Sequence, residues 1–236
     1  MLVTDLLFKK YRIGQEKEEK AMEAEVKATI EDAQKLMVNS VAAIGRMIDE
    51  KDNYTRQHSQ RVADYSRLIA ENLKSFHPTE KEVDQIYRSA LLHDIGKIKI
   101  PDAILQKPAR LTEEEYEIMK KHAIYGDEIV EKIIGNVEHE KYVDIARKIA
   151  RHHHERWDGT GYPDGLAGED IPLCARIMSI ADVFDALYQK RCYKPAIRPA
   201  IKVFMIMQEN AGTQLDPNLV RVFLDIRKRI EAELEE

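Results

Sequence analysis

The stretch LTEEEYEIMKKHAIYGDEIVEKII, residues 111 to 134, decides the fold class. Thr112 is followed three residues later by Glu115, the capping-box pattern that satisfies two backbone N–H groups at a helix start. Met119, His122, Ile129 and Ile133 then recur at helical steps. The spacing predicts a helix whose apolar face carries a histidine.

The same period extends in both directions. Upstream, a helix is predicted through Glu80 to His93, after a break near Phe76-His77-Pro78. Residues 15–50 contain no proline and a single interior glycine, Gly45. There Val26, Ile30, Ala33, Met37, Ile44 and Ile48 recur mostly at three- and four-residue steps. That narrow stripe fits a seam pairing two chains as well as a helix laid on its own domain; a homodimer through residues 15–50 is one expectation. Downstream, a helix runs from about Tyr142 to the triple histidine 152–154, and another from Pro172 to Tyr188. The alternation of a strand is nowhere sustained, and no repeat is visible. The expected fold is all-α.

Composition narrows the function. A 236-residue chain with 44% hydrophobic and 33% charged residues fits one sizeable globular domain. A net charge of -5 argues against coating a nucleic acid polymer, which needs a basic face. No apolar run approaches the length of a membrane span, and the N-terminus MLVTDLLFKKYR lacks a secretory core, so a cytoplasmic location is expected. The only cysteines, Cys174 and Cys192, fit a reducing compartment and exclude a Cys-rich zinc site.

The histidines fall on the apolar stripes rather than among the charges. His58 shares its face with Val62, Tyr65 and Ile69; His93 follows Ile86 and Ala90; His153 lies on the face of Tyr142, Ile145, Ala146, Ile149 and Ala150. Asp94, continuing Val83, Tyr87 and Leu91, and Asp182, inside IMSIADVFDAL, are acids at core-facing positions. A buried carboxylate costs several kcal/mol unless paired or metal-bound. Five or six converging nitrogen and oxygen donors are satisfied together by a metal. His152, His153 and His154 step by about 100° each if helical, so they cannot all face one ion. The helical wheel selects His153 and leaves His152 and His154 tied.

DNYTRQHSQRV, LLHDIGKIKIPDAILQKPARLTEEEYEIMKKHAIYG, HHERWDGTGYPDGLAGEDIPLCARIMSIADVFDAL and RCYK, in that order, resemble an HD-GYP domain, a branch of the HD metal-dependent phosphohydrolases. The resemblance runs from about residue 46 to 226. It implies an HD-type helical bundle over 46–236 and leaves residues 1–45 as a helical extension. Its register implies metal ligands at His58, His93, Asp94, His122, His153, His154 and Asp182. Asp94 would bridge two ions, with His58, His93 and Asp182 on one and His122, His153 and His154 on the other. Tyr54 stands where some members carry a third-metal glutamate, so two divalent ions, iron or manganese, are implied.

A two-ion site lowers the pKa of a bridging water and clamps phosphoryl oxygens. The implied reaction is opening of cyclic di-GMP to pGpG, and onward to GMP, by a metal-bridging hydroxide. The resemblance places Lys97 at the scissile phosphate and Asp185 behind that lysine as its orienter. Arg191 and Lys194 fall at the second phosphate and a base. Tyr162 would stack on guanine, contact a phosphate, or simply pack the glycine-rich loop that Pro163 stiffens. RCYK departs from the family's RPYK at Cys192 without removing a ligand. Alternatives are another ring, such as cyclic GMP-AMP, and a non-catalytic module that binds nucleotide or a diguanylate cyclase through the GYP loop.

Overall fold

The computed structural model describes residues 2–52, 57–73, 76–134, 140–189, 197 and 200–233. Among them are eleven α-helices and no strand. The chain divides into two units, Met1–Ser40 and Val41–Glu236. Helix α1 (Leu2–Lys51) supplies the first unit and opens the second. The predicted stripe splits along it: Val26 and Ile30 are exposed, Ile44 is half-buried and Ile48 is buried.

The second unit is a helical bundle. It comprises α2 (His58–Glu71), α3 (Glu80–Ala90), the short α4 (Asp102–Leu105), α5 (Glu113–Lys120), α6 (His122–Ile134), α7 (Glu140–His152), α8 (Leu173–Tyr188), α9 (Ala200–Glu209), α10 (Pro217–Asp225) and α11 (Arg227–Glu233). Helix α8 is apolar nearly all round and lies at the centre, against α2, α7, α9 and α10. Its Phe184 meets Tyr65, Phe204 and Phe223 with ring centroids 5.1–5.4 Å apart, so three neighbouring helices share one aromatic core.

Helix starts follow local chemistry. The capping box at Thr112 forms: the Thr112 hydroxyl accepts from Glu115 N and the Glu115 carboxylate accepts from Thr112 N at 2.7 Å. A second box at Thr79 and Glu82 opens α3. The start of α2 is capped from α1, where the buried Asp49 carboxylate accepts from both N and Oγ of Ser59 at 3.0 and 2.8 Å.

Two predicted helices are shorter than their periodicity suggests. The helix expected across Met119 to Ile133 is two helices, parted at Lys121, whose N–H turns back to Ile118 O. The helix expected to reach His93 stops at Ala90, and after a turn a 3-10 segment, Ile95–Lys99, lies directly on α6. That approach demands glycine at 96, because a Cβ there would sit 1.9 Å from His122 O and 2.5 Å from Gly126 N. Asp94 and His122 are brought together by it.

Candidate metal centre

Every predicted histidine ligand stands at a helix end or just beyond it. His58 and His122 are first residues of α2 and α6, His153 and His154 follow the last residue of α7, and His93 lies three residues past α3. All except the half-buried His154 are buried. The helices are stiff and their ends converge, which fixes donors that a long loop would leave loose.

The donors fall into two groups, each with ligand atoms within 4.8 Å of one another: His58, His93 and Asp182, and Asp94, His122, His153 and His154. Asp94 faces both. Its Oδ2 lies 3.2 Å from His93 Nε2, while its Oδ1 lies 3.5 and 3.8 Å from the Nε2 atoms of His122 and His153. One carboxylate oxygen therefore points toward each group.

The hydrogen bonds fix which nitrogens remain for a ligand. His122 Nδ1 donates to Met119 O at 2.8 Å, His153 Nδ1 to Ile149 O at 3.0 Å, and His93 Nδ1 to Ala90 O at 2.9 Å. A neutral ring that donates through Nδ1 offers only a lone pair at Nε2. Yet His122 Nε2 and His153 Nε2 face each other at 3.4 Å, beside an anionic oxygen. Two acceptors and a carboxylate aimed at one point suit a cation. The buried Asp94 Oδ1 likewise has no hydrogen-bond partner. A divalent ion satisfies this donor set, and its mixed imidazole and carboxylate composition suits one.

The electrostatics divide the rings. Burial, reinforced by the neighbouring His93 and His122, pushes His153 down to about 3. Burial also lowers His122 and His154, so all three rings are neutral at pH 7, the form that ligates metal. Burial opposes charge on His93 too, but the adjacent Asp94 carboxylate overcomes it and raises that ring to about 9. Asp94 is itself held well below the usual carboxylate range: burial opposes ionisation, and Lys97 with His93 outweighs it.

Lys97, buried beside the centre, donates to Asp94 Oδ2 at 2.7 Å and to Asp52 Oδ2 at 2.6 Å. Asp185 does not orient it, and here the expectation is corrected. The Asp185 carboxylate is buried one helical turn beyond Asp182, where it accepts from His58 Nδ1 at 2.7 Å and from Arg61 at 2.7 and 3.0 Å. Its place on α8 turns it toward α2, away from the 3-10 segment that carries the lysine.

The resemblance implies His154 rather than His152 as the ligand, and the structure brings that ring to the other donors. His154 joins the second group, whereas His152 faces outward from it, with Nδ1 3.4 Å from Asp164 Oδ2. Helical stepping could not choose because the helix has ended by then. Tyr162 covers this side of the centre, its ring 4.9 Å from that of His154 and 6.3 Å from that of His122. Burial pushes its phenol far above the usual range. Arg191, Cys192, Lys194 and Tyr54 lie outside the described residues.

Glu155 has a role that residue spacing did not reveal. Its carboxylate is buried and accepts from the backbone N–H groups of Asp164 and Leu166 at 2.8 and 3.1 Å, so it clamps the glycine-rich loop against the centre. Gly161 makes the close passage possible, since a Cβ there would lie 2.3 Å from Arg156 N and 2.5 Å from Glu155 Cα. The signal available in the sequence was an acid directly after two ligand histidines and before a glycine-rich turn. Arg61 was missed as well; HSQRV puts it one turn from His58.

The pattern of the HD domain matches residues 43–219. The chain is 39% identical over 201 residues to a cyclic di-GMP phosphodiesterase of Vibrio cholerae, covering 82% of this chain and 40% of the relative. The chain belongs to the HD-GYP branch of the HD-domain family. A 3'3'-cGAMP-specific phosphodiesterase 3 from the same organism is 43% identical over 179 residues to this HD-GYP chain, covering 75% of it and 36% of the relative. A crystal structure of a cyclic GMP-AMP specific phosphodiesterase from V. cholerae superposes with a TM-score of 0.63 at 18% identity, over 84% of this chain and 51% of that one. At that identity the likeness shows the fold alone. This HD-GYP chain thus spans about two fifths of the length of these two curated relatives. No helix among its described residues is long and apolar enough to cross a membrane.

Proposed function

We propose that residues 46–236 form a metal-dependent phosphodiesterase domain whose substrate is a cyclic dinucleotide, with residues 1–45 as a helical extension. The observation that carries this reading is the Asp94 carboxylate, one oxygen toward each donor group, with the Lys97 ammonium 2.7 Å away. Asp94 would bridge two divalent ions, with His58, His93 and Asp182 holding one and His122, His153 and His154 the other. Iron or manganese is proposed for this thiolate-free set. When bound, such a pair supplies Lewis acidity and lowers the pKa of water between the ions.

The chain's own residues supply the rest. Lys97 presents a fixed ammonium for charge developing on the scissile phosphate, which a preorganised cation stabilises without reorganisation. Asp52 and Asp94 hold it in place. Tyr162 forms the wall against which a base or phosphate of the substrate rests, and Glu155 keeps that wall in position. Arg191 and Lys194 are proposed contacts to the second phosphate and a base.

Cyclic di-GMP is the proposed ring, opened to pGpG and then to GMP. Cyclic GMP-AMP is the second reading, favoured by the 43% identity to a phosphodiesterase named for that ring. The test is anaerobic incubation of Fe(II)- or Mn(II)-loaded protein with each ring, products being resolved by chromatography beside an Asp94→Ala control. Linear product from wild type alone is expected. No product from protein carrying two ions would instead favour a module that binds nucleotide or a diguanylate cyclase without turnover. A homodimer through residues 15–50 is proposed from the exposed Met22, Val26 and Ile30; a monomer by light scattering at high concentration would exclude it.

A further inference from the structure

Helices α2 and α8 face each other with matched pairs one turn apart. His58 and Arg61 on α2 meet Asp182 and Asp185 on α8, and residues three apart share a helix face. The two nitrogens of His58 are divided between the two aspartates. Nε2 lies 3.5 Å from Asp182 Oδ1, on the side of the donor group, and Nδ1 lies 2.7 Å from Asp185 Oδ2, on the other.

The two acids are therefore not equivalent. Asp182 keeps part of its side chain exposed, at 15%, and belongs to the donor group, whereas the Asp185 side chain is 2% exposed and belongs to none. Both Asp185 oxygens are occupied, Oδ1 by Arg61 Nε at 2.7 Å, and Oδ2 by Arg61 at 3.0 Å and His58 at 2.7 Å. A bidentate guanidinium fixes a carboxylate in both plane and position. With the carboxylate fixed, the His58 ring cannot rotate, its proton stays on Nδ1, and its lone pair stays aimed at the group. His93, His122 and His153 are oriented by backbone carbonyls three or four residues before them in the chain. His58 is oriented by a side chain from α8 and, behind it, by Arg61.

We infer that Arg61 is a positioning residue that acts through Asp185 on His58 and governs occupancy of only one of the two ion positions, the one built from His58, His93 and Asp182. This rests on the metal-centre reading above. Partners behind a metal-bound histidine set ligand geometry and basicity, and their loss costs about 10–100-fold in metal affinity. Arg61→Gln removes the bidentate clamp and leaves a buried carboxylate without its cation, so His58 loses its fixed aim while the second group is untouched.

The experiment is Mn(II) titration of the metal-stripped full chain, read by the EPR signal of free and bound manganese and by metal content after dialysis. Wild type should bind two ions per chain with an exchange-coupled signal. Arg61→Gln should keep one ion at wild-type affinity and bind the second about 10–100-fold more weakly, giving the uncoupled signal of a single Mn(II). Arg61→Lys, which retains the charge with one donor point, should fall between. Two ions bound as in wild type, or both weakened equally, would overturn the inference, the second result marking a general structural role. If Arg61→Gln does not fold, Asp185→Asn reports instead. It keeps an oxygen for His58 but breaks the ion pair, and unchanged binding of both ions by it equally sinks the proposal. Wild type that binds fewer than two ions would fail the metal-centre reading first and take this inference with it.

Discussion

In the second donor group, His122 and His153 lean on carbonyls three or four residues behind them, so each ring is aimed by the backbone that immediately precedes it. In the first group, His58 leans on a carboxylate 127 residues away, and that carboxylate leans on Arg61. One half is aimed by local backbone and survives small shifts between helices. The other shares that local aim at His93 but depends, at His58, on α2 and α8 docking in register, and is the half that tertiary packing can tune or break.

Asp94 is the point at which the comparison collapses, because its two oxygens serve both halves. Asp94→Asn should cost both ion positions at once and lower turnover by more than about 100-fold, beyond the range of changes behind a ligand. Metal analysis and product chromatography on the same preparation check this; retention of two ions would show that the halves do not share it.

Gly96→Ala should separate the halves. The added Cβ would meet His122 O, so the 3-10 segment must withdraw from α6 and carry Asp94 away from the second group. A loss of about 1–3 kcal/mol in urea unfolding is expected, with the ion on His122, His153 and His154 released at lower chelator concentration than the other. Release of the two together would refute the local character of that half.

Glu155→Gln should act on the wall and spare both halves. An amide offers one oxygen in place of two, so the N–H of Asp164 or Leu166 loses its acceptor. About 1–3 kcal/mol of stability should go, with a raised KM for the proposed cyclic dinucleotide substrate and unchanged metal content. A variant that lost metal instead would place Glu155 inside the centre.

The smallest effect is the pH dependence of metal-free protein, to which the halves contribute with opposite sign. His93 is raised to about 9 from 6.5, so its contribution is full below pH 6.5 and is lost as pH climbs toward 9. His153 is lowered to about 3, so the unfolded chain takes up a proton that the folded ring refuses, and stability falls as pH drops from 6.5 toward 3. The melting temperature of chelated protein should peak near pH 6.5; a profile flat on the alkaline side would remove His93 from this account.

Much of this was legible in the chain. Period and capping chemistry set the helices, because apolar spacing and the Thr112–Glu115 box are properties of neighbouring residues. Burial of His58, His93, Asp94, His122 and His153 followed from the stripes they share, though for His93 and His153 the helix had already ended and only the inward direction held. Their assignment to ions came from the resemblance. What spacing could not deliver was any relation across the bundle. The break at Lys121, the passage of Gly96 over α6, and the choice of His154 over His152 all depend on which helix ends meet.

Asp182 and Asp185 mark the boundary. From residue spacing alone it follows that two acids lie one turn apart on an apolar helix and that Asp182, at a core-facing position, needs a partner, since an ionised carboxylate in a core is costly alone. Which acid joins the donor group, and which is locked between His58 and Arg61, is set by the packing of the bundle. That division is a matter of where α2 lies against α8, and no local preference of either helix encodes it.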